Sequence, residues 1–306
     1  MNRLLPWLLS LFRLWRRYEW DKQGMSMGLL KSEGKPDKNE LVAEKEEEEN
    51  ESQNELPEML KAIFVAAVIA IGIRTFAYEP FNIPSGSMLP TLLVGDYLFV
   101  SKYSYGYSRY SFPFGLAAFN GRIWESVPER GDVAVFRQPK QIGIDYIKRI
   151  IGLPGDRIQV IDGRLYINDK IVEREEVGFV EREEDGSPVI YTKYIETLPN
   201  GVKHTIFEKS DYEFFDNTEV YTVAKNTYFV MGDNRDGSQD SRATSQVGPV
   251  PAANLIGRAE FLFFSTEGTG DKCIKEGMFK YPAIVLCKIV NWPGAIRYSR
   301  IFNGIE

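Results

Sequence analysis

From Met59 to Tyr78 the chain is almost wholly apolar, with an uninterrupted run from Ala62 to Ile73 and charges only at Lys61 and Arg74. About 20 helical residues at about 1.5 Å each span about 30 Å, the thickness of a bilayer's hydrocarbon core. A buried helix of a soluble protein would usually carry a polar stripe, which this run lacks, so the pattern predicts a transmembrane helix over residues 58–78. A shorter apolar run, Leu4 to Trp15, is broken by Arg13 and followed by Arg16 and Arg17. It is too short to span comfortably, and residues 1–20 read as an interfacial amphipathic segment; a secretory signal peptide is disfavoured because no small-x-small site follows. Gly34 to Glu55, with Glu46 to Glu49 in a row, has little to bury, and residues 21–57 read as a solvated linker.

Beyond Tyr78 helical spacing disappears. Asp96 to Ser101 and Asp132 to Arg137 are rich in β-branched and aromatic residues, as are Tyr146 to Ile151, Thr227 to Met231 and Arg258 to Phe264. The turn Leu153-Pro154-Gly155-Asp156 between Tyr146–Ile151 and Arg157–Ile161 reads as a hairpin, and Asp162-Gly163 reads as a second one before Arg164 to Ile167. Glu173 to Asp216 is polar with short β-like pieces such as Val189 to Tyr194, and resembles an insertion. The fold class predicted is mainly β and largely antiparallel. Between Tyr103 and Pro128 the apolar residues Phe112, Phe114, Leu116 and Phe119 either rest on a membrane or pack under a long loop. Cys273 to Trp292 has room for a helix.

Composition narrows the function. With 306 residues and 43% hydrophobic content the chain can build one large or two smaller cores, and its net charge of -6 gives no basic face for nucleic acid. Cys273 and Cys287 are too few and too far apart for a structural zinc site, so neither a metal nor another cofactor is expected, and whether the two pair stays open. Lys22, Lys31, Lys35, Lys38 and Lys45 precede the apolar helix and Lys61 lies in its first turn, whereas no Lys or Arg follows Arg74 until Lys102. The positive-inside rule then places everything after Tyr78 outside the cytoplasm.

Three stretches carry candidate chemistry. In Asn82-Ile83-Pro84-Ser85-Gly86-Ser87-Met88-Leu89-Pro90-Thr91 two prolines bracket a glycine, so the segment is either a stiff turn presenting a nucleophilic serine or a plain surface loop. A nucleophile needs a base, and His204, the one histidine, falls in the polar insertion, where it reads as a surface residue. Lysine serves as base when burial lowers its pKa. Strand alternation puts Lys148 on one face with Tyr146 and Ile150, and leaves open whether it is a buried base or a snorkelling surface lysine. The third stretch, Met231 to Arg242, fails as an EF-hand, because placing Gly237 at position 6 puts Gly232 and Ala243 where carboxylates are required. Its alternating Asp and Arg residues read instead as a salt-bridged scaffold.

Taken together and in order, PSGSMLPT, RGDVAVF with YIKRIIGLPGD, and MGDNRDGSQDSR resemble the bacterial type I signal peptidases, or leader peptidases, from about Phe81 to Phe264 plus the preceding anchor. The resemblance implies that Ser87 is the nucleophile and Lys148 the neutral general base. It further implies that the Ser85 hydroxyl joins the Ser87 backbone N–H in an oxyanion hole and that Ser238 orients the lysine amine. Asp233, Arg235, Asp240, Arg242 and Arg149 resemble structural ion-pair residues, and Ile83, Pro84, Met88, Tyr146 and Ile147 resemble the lining of shallow apolar substrate pockets. The implied fold is an antiparallel β catalytic domain in two parts, 79–156 and 222–306, with a β-rich subdomain inserted at 157–221. The implied substrates are secretory preproteins cleaved after a small-x-small motif, and the implied place is the inner membrane of a bacterium, with the catalytic domain on the periplasmic side against the lipid bilayer. A processing enzyme for one dedicated precursor, or a β-rich binding module without catalysis, are the competing readings.

Overall fold

The computed structural model describes residues 57, 59–112, 121–141, 143–184, 186–267 and 293–305. The segment 1–20, most of the linker, Phe114, Leu116, Phe119, both cysteines and the helix expected near the C-terminus lie outside the described residues. The chain divides into two units, Met1–Val65 and Ala66–Glu306. Among the described residues one helix, α1 (Met59–Phe76), is long and apolar enough to cross a membrane, with a mean hydropathy of 2.0 over its 18 residues and only 6% of them buried.

After α1 the chain passes through β1 (Tyr78–Asn82), β2 (Asp96–Ser101), β3 (Tyr107–Ser108), β4 (Arg122–Ile123), β5 (Val133–Arg137) and β6 (Asp145–Gly152). It continues through β7 (Arg157–Ile161), β8 (Arg164–Ile167), β9 (Lys170–Ile171), β10 (Glu173–Glu184), β11 (Ser187–Thr197), β12 (Lys203–Glu208) and β13 (Tyr221–Thr222). The last described strands are β14 (Thr227–Met231), β15 (Val250–Pro251) and β16 (Leu255–Ser265). A seven-stranded sheet has the order β1-β2-β16-β5-β6-β14-β15, and its pairs are all antiparallel. The chain leaves this sheet after β6 and returns at β14, directly beside β6. In between it forms a four-stranded sheet, β13-β7-β8-β9, and a three-stranded one, β10-β11-β12.

Strand alternation explains how these sheets are covered. In β2, Leu98 and Val100 point into a core shared with Ile83, Met88, Leu92, Val133 and Val135, while Phe99 turns to the other face and meets Phe261 and Phe263. β6 is covered on both faces: Tyr146 and Ile150 join a core with Phe136 and Val230, Ile147 packs on the first core, and Ile151 joins a third with Ile158 and Phe229. The described part of the Tyr103–Pro128 stretch includes Phe112, whose ring packs on Phe76 and Tyr107.

Two expectations are corrected. β6 and β7 do not form a hairpin, because after Pro154 the chain crosses to another sheet, where β7 pairs with β13 and β8. The crossing is fixed by Gly155, whose φ of 94° suits glycine and whose N–H donates to Val223 O. The Asp162-Gly163 turn does join a hairpin, β7 to β8, with both residues at positive φ. The short β-like pieces of the polar region are in fact two long strands: β10 and β11, of 12 and 11 residues, pair along nearly their whole length. No residue of β10 is fully buried, which is why its composition reads as polar insertion rather than as one long strand.

Candidate active site

Ser87 sits in the turn that follows β1. The β1/β2 pairing carries on past Asn82 through hydrogen bonds from Ile83 N to Asp96 O and from Gly95 N to Ile83 O, which fixes the turn's entrance. Met88 and Leu92 are fully buried and anchor its far side, closed by a hydrogen bond from Leu92 N to Met88 O. Leu89 packs on Tyr191 and Phe207, so the inserted strands support the turn as well.

The loop after β14 backs this turn. Asn234 donates from its backbone N–H to Ser87 O at 3.2 Å and from Nδ2 to Gly86 O at 3.1 Å, the second adding to the hydrogen bond that Gly86 O already accepts from Leu89 N. Gly232 is needed for the close approach, since a Cβ there would lie 2.5 Å from Ser87 O and 2.3 Å from Ser238 Oγ.

Lys148 reaches the turn from β6. Its Nζ donates to Ser87 Oγ at 2.6 Å and to Ile147 O at 3.0 Å, and stands 5.3 Å from the centre of the Tyr146 ring. The lysine is 3% exposed and Ser87 9%. Burial disfavours the ammonium form and brings the Lys148 pKa down to about 8; Asp240 and Asp233 raise it by lesser amounts and Arg242 lowers it. Ser85 Oγ lies 3.4 Å from Ser87 Oγ. Ser238 is buried over Gly232, and its hydroxyl makes no hydrogen bond to Lys148.

A cleft of about 340 Å³ opens in front of the pair, lined by Ile83, Pro84, Ser85, Ser87, Ile144, Tyr146, Ile147 and Lys148 and by Gly237 and Gln239 of the backing loop. Met88, expected among its lining residues, is not there: the alternation that brings Ser87 to the cleft turns Met88 into the core.

The ionic residues form a framework behind the serine. Arg149, on the face of β6 opposite Lys148, holds both oxygens of Asp233 at 2.8 Å, while Thr91 Oγ1 also donates to Asp233. Burial pushes the Asp233 carboxyl up, but Arg149, His204 and Thr91 together hold it below its ordinary value. Asp240 pairs with Arg242 at 3.0 Å and accepts from Gly232 N. Arg235 does not pair within its own loop but with Glu196 of β11. His204 is a correction, for it is buried rather than at the surface, with Nε2 3.4 Å from Glu196 Oε2 and 3.9 Å from Asp233 Oδ1. Burial takes its pKa down to about 4, so it is neutral at pH 7. Glu196, Thr91 and the second hydrogen bond of Asn234 had no sequence signal, because each acts through a partner far away in the chain.

The class that this mainly antiparallel β fold and its serine-bearing cleft define is the serine peptidases. The family described as signal peptidase, peptidase S26, matches residues 56–264, and the chain belongs to it. It is 46% identical to a signal peptidase I of Rickettsia typhi over 246 residues, covering 78% of this chain and 89% of that one. With a signal peptidase I of Rickettsia canadensis it shares 44% over 254 residues, 80% and 92% of the two chains. A solved signal peptidase I of Enterococcus faecalis is 27% identical, with 44% of this chain and 97% of that one covered at a TM-score of 0.25.

Proposed function

We propose that this chain removes N-terminal signal peptides from secretory preproteins, with Ser87 as nucleophile and Lys148 as neutral general base. The observation that carries the reading is the 2.6 Å contact between Lys148 Nζ and Ser87 Oγ, made where both residues are buried. The neutral amine takes the Ser87 hydroxyl proton as Oγ attacks the scissile carbonyl carbon. The resulting ammonium then gives that proton to the departing amine, leaving an acyl-serine and the freed mature chain. Water enters and attacks the acyl carbon while losing a proton to Lys148, which passes that proton to the departing Ser87 Oγ; the signal peptide leaves as a carboxylic acid that ionises in solvent. In this reading the Ser87 N–H and the Ser85 hydroxyl, whose Oγ lies 3.4 Å from Ser87 Oγ, donate to the oxyanion. Ser238 shapes the back of the site against Gly232, in van der Waals reach rather than through a hydrogen bond to the lysine.

Substrate placement follows from the sheet. Asp145 to Lys148 pair with β5 on one side, but β14 joins β6 only from Arg149 onward, so among the described residues the other edge has no strand partner there. An extended peptide laid along this edge and along Ile83–Ser85 gains main-chain hydrogen bonds and points alternate side chains at the same apolar wall. That selects small side chains at two alternate positions, a small-x-small motif. Ser87 follows α1 by 11 residues, at most about 40 Å of extended chain, so a membrane-anchored α1 holds the serine close to the place where a preprotein's own apolar helix leaves the bilayer. The lysine bias before Met59 puts this domain on the extracytoplasmic side of a bacterial membrane.

The test is cleavage of several unrelated preproteins in detergent by wild type, Ser87→Ala and Lys148→Ala. Both variants are expected to lose cleavage and keep their fold, and near-normal turnover by either sinks the assignment. Protease added to intact spheroplasts should digest the region after Tyr78; protection of that region would invert the topology.

A further inference from the structure

Away from the cleft, three carboxylates converge where the inserted strands meet the loop after β14. Glu208 ends β12, Asp216 precedes β13, and Asp236 lies in the loop itself, two residues after Asn234. One carboxylate oxygen from each lies within 4.8 Å of the other two. Glu208 is 2% exposed, and its Oε2 is buried without a hydrogen-bond partner, as is Asp236 Oδ1. Buried carboxylate oxygens left unmatched cost free energy unless something stands between them.

The cations in the neighbourhood are engaged elsewhere. Arg174 donates to Asp211 at 2.7 Å and reaches Glu208 Oε1 only at 3.5 Å. Arg235 is taken by Glu196, Arg242 by Asp240, and the Lys209 ammonium by Glu184. Beyond the long Arg174–Glu208 contact and the more distant fields of Arg235 and Arg242, the carboxylates of Glu208, Asp216 and Asp236 have no ion pair among the described residues. Burial pushes all three carboxyls up; repulsion from Asp236 adds to this at Glu208 and Asp216, and repulsion from Glu213 adds to it at Asp236.

We propose that Glu208, Asp216 and Asp236 bind one divalent cation of the calcium class. Donors that are all oxygen, with no histidine or cysteine, select a hard cation. Calcium–oxygen distances of about 2.3–2.6 Å let ligating oxygens stand up to about 5 Å apart, which accommodates oxygens within 4.8 Å of each other, and calcium tolerates an irregular all-carboxylate cluster better than magnesium, which demands near-ideal octahedral geometry and dehydrates reluctantly. The expectation of no metal came from cysteine spacing and a failed EF-hand register. Neither reaches a site whose ligands come from three separated positions. The cation ties β12 and the segment before β13 to the loop that holds Gly86 and Ser87, and so stiffens that loop from outside the cleft.

Purified full-length chain in detergent, stripped with EGTA, is compared with Glu208→Gln by equilibrium dialysis against calcium chloride and by thermal unfolding followed through tryptophan fluorescence. The expected result is about one calcium bound per chain at about millimolar free calcium, with the unfolding midpoint raised by about 3 °C. Both effects disappear in Glu208→Gln, and magnesium gives a smaller shift. Calcium binding no greater in wild type than in the variant, a midpoint that ignores calcium, or an equal magnesium shift overturns the proposal. So does a Glu208→Gln midpoint raised in EGTA beside a wild type that calcium does not stabilise, since a shared proton would then fill the gap. Asp236→Asn, at the least buried of the three positions, supplies the comparison if Glu208→Gln does not fold.

Discussion

The pH dependence of catalysis tests the proposed base most directly. A free lysine, with a pKa of 10.5, is neutral in about one molecule in 3000 at pH 7. Held at about 8 by burial, Lys148 is neutral in about one in eleven. The difference, about 300-fold, corresponds to about 3 kcal/mol of barrier that the folded protein has already removed. The sign is fixed by the direction of the shift: the active form is the deprotonated one, so kcat/KM rises with pH through the folded-state pKa and then levels. From pH 7 to pH 9 it should rise about tenfold and flatten, whereas an unshifted lysine would give about a hundredfold rise with no plateau. His204, down at about 4, contributes no limb in that range, so His204→Ala should keep the same profile shape. Lys148→Arg should be inactive at every pH, because a guanidinium stays charged. The assay is kcat/KM for a preprotein in detergent from pH 6 to pH 10. A rising limb that disappears in His204→Ala, a hundredfold climb without a plateau, or an active Lys148→Arg would each remove Lys148 from the role of base.

Three further outcomes follow. Ser85→Ala removes one oxyanion donor but leaves the Ser87 N–H, and kcat should fall by about 100-fold to 1000-fold with KM little changed; an unchanged kcat takes Ser85 out of the site. Gly232→Ala drives a Cβ to 2.5 Å from Ser87 O, which should cost about 1–3 kcal/mol of stability and at least about 100-fold in kcat, and a fully active variant would mean that the backing loop does not set the serine's position. Lys148→Met should be inactive yet more stable than wild type by about 2 kcal/mol at pH 7, after about 1 kcal/mol is subtracted for the lost hydrogen bond to Ser87. The folded-state pKa is lowered, so the unfolded chain binds more protons between about pH 8 and pH 10.5 and wild-type stability rises across that window; the advantage of Lys148→Met in thermal melts should shrink accordingly, and a variant less stable than wild type at pH 7 would refute the burial argument.

What the sequence made legible is what periodicity and turn chemistry encode. The apolar run became α1, and the β-branched stretches became strands of one antiparallel sheet, because each carries its own pattern. Alternation also separated Lys148 from Arg149, but it did not say that both would be buried, since that depends on what covers each face of β6. Partnership was the part not encoded. The Pro-Gly turn after β6 reads the same whether the next strand pairs with β6 or crosses to β13. Arg235 has acidic neighbours in its own loop, yet its partner, Glu196, lies two residues beyond the short β-like piece that the sequence showed, near the end of a longer strand. His204 pairs in register with that same Glu196 across β11 and β12, so its burial depended on a hairpin the composition had hidden.

The dense charge behind the serine is at first sight a poor setting for a lysine that has to be neutral, since buried carboxylates favour an ammonium. Asp240 and Asp233 do pull the Lys148 pKa upward. Each of them, though, has both oxygens held by its own arginine, Asp233 by Arg149 and Asp240 by Arg242, so the lysine faces two neutral pairs rather than two bare anions. An apolar loop in this place would lower the lysine's pKa as well, but it would remove the Asn234 side-chain bond to Gly86 O and leave the N–H of Gly232 and the hydroxyl of Thr91 without their carboxylate partners. Paired charges meet both requirements: they hold the serine turn by directional bonds and give the ammonium little extra stabilisation. Buried pairs add little net stability compared with apolar packing, so the return for this arrangement is geometric. It fixes Ser87 Oγ against Lys148 Nζ at hydrogen-bond distance, while burial is the largest influence on the protonation state of the amine.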